Sequence, residues 1–269
     1  MKNIIVGGFG FLGRHLTTRL VEQNEQVEVI GRNGEPSSGC DRLWFLAAET
    51  KNRFVERNAS NLHYHTQPIL RALNWASKAN ANFIFVSSAA VYGDTKNHRA
   101  KETQPLTPNS YYGQLKAVEE LLVKRWTRLH GIPKHTIFRP TNIMGPDMTS
   151  NILTDLDFMA KNAPYIRLRG TGTEKVSPIY VDDCISGMLR ALDKTDTSTT
   201  INIGNLDTIS VAEITQIYLE TAHESFKISW QGRQGIDCQL NIEKLLSLGW
   251  EPTKNSREAT QLAARRLLE

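Results

Sequence analysis

Val6-Gly7-Gly8-Phe9-Gly10-Phe11-Leu12-Gly13 stands between a short apolar run, Lys2 to Val6, and a segment, Phe11 to Glu22, in which Leu12, Leu16, Leu20 and Val21 recur at helical spacing. The order is strand, glycine turn, helix. Glycine at Gly7, Gly10 and Gly13 allows a tight turn, lets the backbone approach an anion closely and lets the helix pack on the strand, while the helix N-terminus attracts negative charge. A GxxGxxG spacing alone is weak. Between the first strand and the first helix of a chain it points to the pyrophosphate of a dinucleotide.

Outward from that turn, strands and helices alternate. Gln26 to Ile30, Arg42 to Ala47, Asn82 to Ser87 and His135 to Arg139 read as strands, and Asn61 to Lys78 and Tyr112 to Leu129 as helices, with Pro68 marking a kink or a boundary. Such alternation predicts an α/β fold, a Rossmann-type doubly wound parallel sheet. After Gly145-Pro146 the pattern loosens. Helices are expected at Ile152 to Asn162, Val181 to Asp193, Val211 to Ala222 and from Ile242 to Leu248, and a strand at Thr200 to Ile203. Residues 1–146 are therefore expected to form the nucleotide-binding domain, its sheet completed by segments around 176–204, and residues 147–269 mainly a small substrate-binding lobe.

Composition excludes more than it assigns. The 269 residues carry 32 basic and 28 acidic side chains, a formal charge of +4, and the basic residues are scattered, so nothing calls for nucleic acid. Cys40, Cys184 and Cys238 are widely spaced and lack any CxxC, which suggests neither a disulfide framework nor a zinc site and suits a reducing cytoplasm. The N-terminus lacks the pattern of a signal peptide, and no apolar stretch approaches the roughly 20 residues that span a bilayer. A soluble cytoplasmic protein without a membrane partner is expected.

At the end of the second strand, where an acidic residue would accept hydrogen bonds from the adenosine ribose of NAD, the chain has Gly31-Arg32-Asn33. A guanidinium there pairs with a 2′-phosphate, so NADP is expected as the preferred cofactor and NAD as the alternative. Tyr112 and Lys116 lie four apart at the start of a predicted helix and so share a face. Tyrosine, ionising at about 10 in water, is a poor base at neutral pH unless a cation stabilises the phenolate, and lysine is that cation. Ser88 follows a predicted strand at the edge where ligands of open α/β sheets bind, and its hydroxyl can hydrogen-bond a reacting oxygen.

These segments together resemble the extended short-chain dehydrogenase/reductase family, which includes nucleotide-sugar epimerases, dehydratases and 4-keto reductases. The resemblance is carried by the glycine turn, Phe45-Leu46-Ala47-Ala48, Val86-Ser87-Ser88-Ala89-Ala90-Val91-Tyr92-Gly93, Tyr112-Gly113-Gln114-Leu115-Lys116, Arg139-Pro140-Thr141-Asn142-Ile143-Met144-Gly145-Pro146 and Tyr180-Val181-Asp182-Asp183. It implies that Tyr112 is the general acid/base, that Lys116 holds the nicotinamide ribose, and that Ser88 orients the substrate oxygen. Phe11, Leu12, Ala47, Ala48, Val86 and Pro140 would line the cofactor cleft beside the glycines. Asn142 matches a residue that contacts the sugar nucleotide, and Arg233 either clamps its diphosphate or lies in an exposed loop. A homodimer is the family expectation.

Three departures qualify the resemblance. The short stretch Gly31 to Cys40 replaces the strand and helix the family usually inserts, so the sheet should lack an edge strand and the adenine pocket a wall. Ala89-Ala90 stand where sugar 4,6-dehydratases carry an Asp-Glu pair, which argues against elimination. An arginine common before the Tyr-Val-Asp-Asp segment is replaced by Val176, with Lys175 adjacent as a substitute point charge. His63 and His65, two apart on a helix, read as surface histidines and not as metal ligands, and no metal site is expected. Asp182-Asp183 read as helix capping and dipole residues. The expected function is NADPH-dependent reduction of a nucleotide-linked 4-keto sugar; the alternatives are a nucleotide-sugar 4-epimerase and, without catalysis, an NADP-binding regulator.

Overall fold

The structure, a computed structural model, describes residues 1–47, 62–96, 98–232 and 235–269. In the first half β1 (Lys2–Val6), α1 (Phe11–Glu22), β2 (Gln26–Ile30), β3 (Arg42–Phe45), α2 (Leu62–Ala79), β4 (Asn82–Val86), α3 (Tyr111–His130) and β5 (His135–Pro140) alternate as the sequence predicts. The second half adds β6 (Ile143–Met144), α4 (Ile152–Asn162), β7 (Ile166–Leu168), β8 (Lys175–Val176), β9 (Ile179–Tyr180), α5 (Val181–Lys194), β10 (Thr199–Ile203), β11 (Ile209–Ser210), α6 (Val211–Ala222), β12 (Ile228–Trp230), α7 (Glu243–Ser247) and α8 (Ser256–Leu268). Helix α2 runs through Pro68, which marks no boundary.

The main sheet has six strands in the order β10-β5-β4-β3-β1-β2, every pairing parallel. Side chains alternate across each strand, so Ile4, Val6, Leu43, Phe45, Phe83 and Phe85 pack against Ile69, Leu73 and Ala76 of α2 and Val123 of α3. Ile5, Trp44, Ile84, Val86 and Phe138 point the other way, toward Leu16 and Leu20 of α1 and Cys184, Ile185 and Met188 of α5. Burial on both faces explains why the inner strands read as continuous apolar runs. The sheet ends at β2, where only Ile30 is buried, because residues 31–41 form no further strand or helix. The edge strand is absent there as expected.

The first turn of α5 corrects one expectation. Its N-cap is Tyr180, without a side-chain cap bond, although Asp182 and Asp183 do sit in the first turn. Asp183 is buried and accepts from the Thr253 hydroxyl at 2.7 Å and the Lys254 N–H at 3.2 Å, tying the segment before α8 to the domain. Helix α8 itself, capped reciprocally by Asn255 and Glu258, lies beyond what the sequence reading foresaw. Among the described residues no helix is long and apolar enough to cross a membrane.

Candidate active site

Gly7 turns the chain at φ +83°, and a Cβ there would lie 2.7 Å from the Ala47 Cα, so the end of β3 closes directly on the turn. At Gly13 a Cβ would meet the Gly8 Cα at 2.5 Å, which is the close helix-on-strand packing that glycine permits. Gly10 differs. It is the N-cap of α1 with φ −76°, provides no side-chain cap, and a Cβ would meet only the Gly7 carbonyl oxygen, at 3.3 Å. The orphan N–H groups of the first turn thus receive no side-chain acceptor from the cap, as a site for an anionic group requires. Phe11 stands edge-on to His15 and near Gly145, and Leu12 packs half-buried against the core. We expect Gly7→Ala to cost about 2 kcal/mol or more in chemical denaturation, since it combines a disfavoured φ with a backbone clash. Gly10→Ala should cost under about 1 kcal/mol.

Ser88 follows β4 and caps a short 3-10 turn, Ala89–Tyr92, its Oγ accepting from the Ala90 N–H at 3.2 Å. Helix α3 begins against this turn. Ser110 caps it by accepting from Gly113 N–H at 3.1 Å, and Gly113 presses on the Ala90 carbonyl so closely that no Cβ would fit. The contact brings the first turn of α3, which carries the half-buried Tyr112, against the turn that Ser88 caps. One turn later the buried Lys116 donates from Nζ to the Val86 carbonyl at 3.2 Å, at the carboxyl end of β4, with Nζ 4.6 Å from the centre of the Phe85 ring.

Arg32, just beyond β2, donates to the Tyr64 carbonyl at 3.1 Å and lies over the Tyr64 ring at 4.7 Å. Pro140 is buried at the end of β5, and Asn142 is half-buried, its carbonyl accepting from Ile179 N–H at 3.1 Å. Lys175 is half-buried on β8, 3.9 Å from the Glu213 carboxylate. Ala48 and Arg233 lie outside the described residues. His65 contradicts its reading as a surface residue: it is 2% exposed, with neither ring nitrogen hydrogen-bonded, because helix α2 turns it inward under Tyr111 while His63 faces solvent.

The family model described as the NAD dependent epimerase/dehydratase family matches residues 37–204. The chain belongs to that family. The Arabidopsis thaliana UDP-glucuronic acid decarboxylase 3 is 27% identical to this epimerase/dehydratase-family chain, over 97% of the chain and 87% of the relative. A putative UDP-glucose 4-epimerase from Methanocaldococcus jannaschii is 26% identical, over 95% and 94%. A crystal structure of UDP-galactose 4-epimerase superposes with a TM-score of 0.86 and 26% identity, covering 99% of this chain and 98% of the other. The resemblance read from the motifs stands.

Two features of this family member were not anticipated. Glu119, fully buried, brings Oε2 to 3.0 Å from Lys116 Nζ. Burial pushes its carboxyl above the usual range, against the opposing charges of Lys116, Arg32 and His65. Beneath the site Arg139 reaches both Glu120 oxygens, at 2.8 and 2.6 Å, and donates to the Tyr92 hydroxyl at 2.7 Å. Ser87 donates to the same Glu120 carboxylate at 2.7 Å and Tyr92 donates to Asn202 at 2.7 Å. Burial, against Arg139, pushes the Tyr92 phenol up to about 12, so it stays a donor. The network ties β4, α3, β5 and β10 together. Glutamates at i+3 and i+4 from a lysine, followed by an arginine inside an apolar strand, are the sequence signal for it.

Proposed function

We propose that the protein is an NADPH-dependent reductase of nucleotide-linked 4-keto sugars. The observation that carries the reading is Arg32: a guanidinium, and no carboxylate, stands at the end of β2 where the adenosine ribose of the cofactor is recognised. The glycine turn, Arg32, Ala47, Val86 and Pro140 would hold NADPH, which when bound would provide hydride-transfer chemistry. Tyr112 donates the proton to the ketone oxygen, Ser88 orients that oxygen, and the Lys116 ammonium holds the nicotinamide ribose and stabilises the phenolate left behind. Asn142, just after β5, contacts the nucleotide sugar together with Lys175 and Arg233 from the segment 147–269. Ala89 and Ala90 offer no carboxylic acid after Ser88, so elimination has no proton donor at that position. Val118, Leu121 and Leu129, exposed along one face of α3, support a homodimer, and the protein works in the cytoplasm.

A 4-epimerase of nucleotide sugars is the second reading, favoured by the likeness to UDP-galactose 4-epimerase over nearly the whole chain. It uses Ser88, Tyr112 and Lys116 in the same roles, with the hydride returned to the carbon it left. The two separate on the cofactor. Release and identification of any nucleotide carried through purification, then fluorescence titration of the emptied protein, should show NADPH binding more tightly than NADH. Arg32→Ala should weaken NADPH by roughly ten- to a hundredfold, the worth of charge-assisted hydrogen bonds to a phosphate, and leave NADH unchanged. Tightly retained NAD, indifferent to Arg32→Ala, would favour the epimerase.

A further inference from the structure

Beyond β2 the chain has no strand or helix before β3, so the side of the cleft nearest Arg32 has to be built from elsewhere. Helix α2 supplies it. Tyr64, in its first turn, accepts the Arg32 Nη2 proton through its carbonyl at 3.1 Å and lies under the guanidinium plane with its ring, 4.7 Å from centroid to Cζ. Two turns further along the same face, Arg71 donates to the Asn33 side chain at 2.7 Å. Helix α2 therefore grips consecutive residues, Arg32 and Asn33, at two points, and brings a second guanidinium to the same place. Among the described residues neither arginine is in salt-bridge contact with a carboxylate, although the charge of Arg32 acts on the buried Glu119.

We infer that Tyr64 is a cofactor-specificity residue: it holds the Arg32 guanidinium in place to receive the 2′-phosphate of NADP, and so stands in for the missing wall of the adenosine pocket. The inference rests on the NADP reading above. A flexible arginine must give up rotamer freedom to bind a phosphate, and a side chain already restrained by a carbonyl and an aromatic face gives up less. The 43% exposure of Tyr64 leaves the pair accessible from solvent. Of the two contacts with Arg32 only the ring contact depends on the Tyr64 side chain, so for this role phenylalanine should replace it and alanine should not.

The test is fluorescence titration of the purified full-length protein with NADPH and with NADH, for wild type, Arg32→Ala, Tyr64→Ala and Tyr64→Phe. Tyr64→Ala is expected to weaken NADPH about fivefold with NADH unchanged, and Tyr64→Phe to bind both as wild type does. If Arg32→Ala abolishes the NADPH preference while Tyr64→Ala leaves NADPH within twofold, or weakens both cofactors equally, the role of Tyr64 is overturned and the NADP reading survives. If wild type binds NADH as tightly as NADPH and Arg32→Ala changes neither, both fall together.

Discussion

Tyr112→Phe is expected to reduce turnover by roughly 10² to 10⁴, the usual worth of a positioned general acid, with NADPH affinity and thermal stability close to those of wild type. Only the hydroxyl is lost. The ring keeps its half-buried place at the start of α3, which is fixed by the Ser110 cap and by the Gly113 contact with Ala90, neither of which involves the phenol. Lys116 is anchored independently by the Val86 carbonyl and Glu119, so its ammonium does not move with the substitution. The loss should appear in kcat and in kcat/KM alike, because a proton delivered to the ketone oxygen is worth nothing before the transition state. The measurement is steady-state kinetics with a nucleotide-linked 4-keto sugar beside a cofactor titration and a thermal melt. Near-normal kcat in a folded, cofactor-binding variant would remove Tyr112 from the chemistry.

What the sequence disclosed follows from how far its signals reach. The glycine turn, the end of β4 and the Tyr112–Lys116 pair are local: each is fixed by neighbours within one or two turns, so a strand end or an i,i+4 spacing suffices to read them. Helices α4 (Ile152–Asn162) and α6 (Val211–Ala222) match their expected bounds, and both open on capping boxes, Asn151 with Thr154 and Ser210 with Glu213, that stop the helix at a definite residue. Two-residue strands such as β6 and β9 carry no period at all. Buried charge was harder to read, for a different reason. Glu119, Glu120 and His65 look like residues of solvated helix faces, and only the packing of α2, α3 and β5 against one another encloses them. Arg139 is enclosed the same way, between Tyr92 and Glu120, neither of which is near it in sequence.

Glu120→Ala should be the most destabilising of the substitutions considered, lowering stability by about 3–5 kcal/mol, because it strands the buried Arg139 cation without its carboxylate and leaves Ser87 without its acceptor. For a chain of this size that is a fall of roughly 10 °C or more in Tm. Replacing both partners, Glu120→Leu with Arg139→Met, should recover much of the loss, since it removes the unpaired charge rather than creating it. The pH dependence has a definite sign. Burial alone would raise the Glu120 carboxyl, but Arg139, Ser87 and Lys124 outweigh it and hold the group below its ordinary value. A carboxyl depressed in the folded state contributes stability that is fully present above its unfolded value, about 4.3, and is lost as pH falls through the folded value. Chemical denaturation of wild type and Glu120→Ala across that range should show a gap that is constant near neutrality and narrows below about pH 4. A gap that persisted unchanged into acid would mean that Glu120 serves the fold by its shape, and that its charge does not hold Arg139.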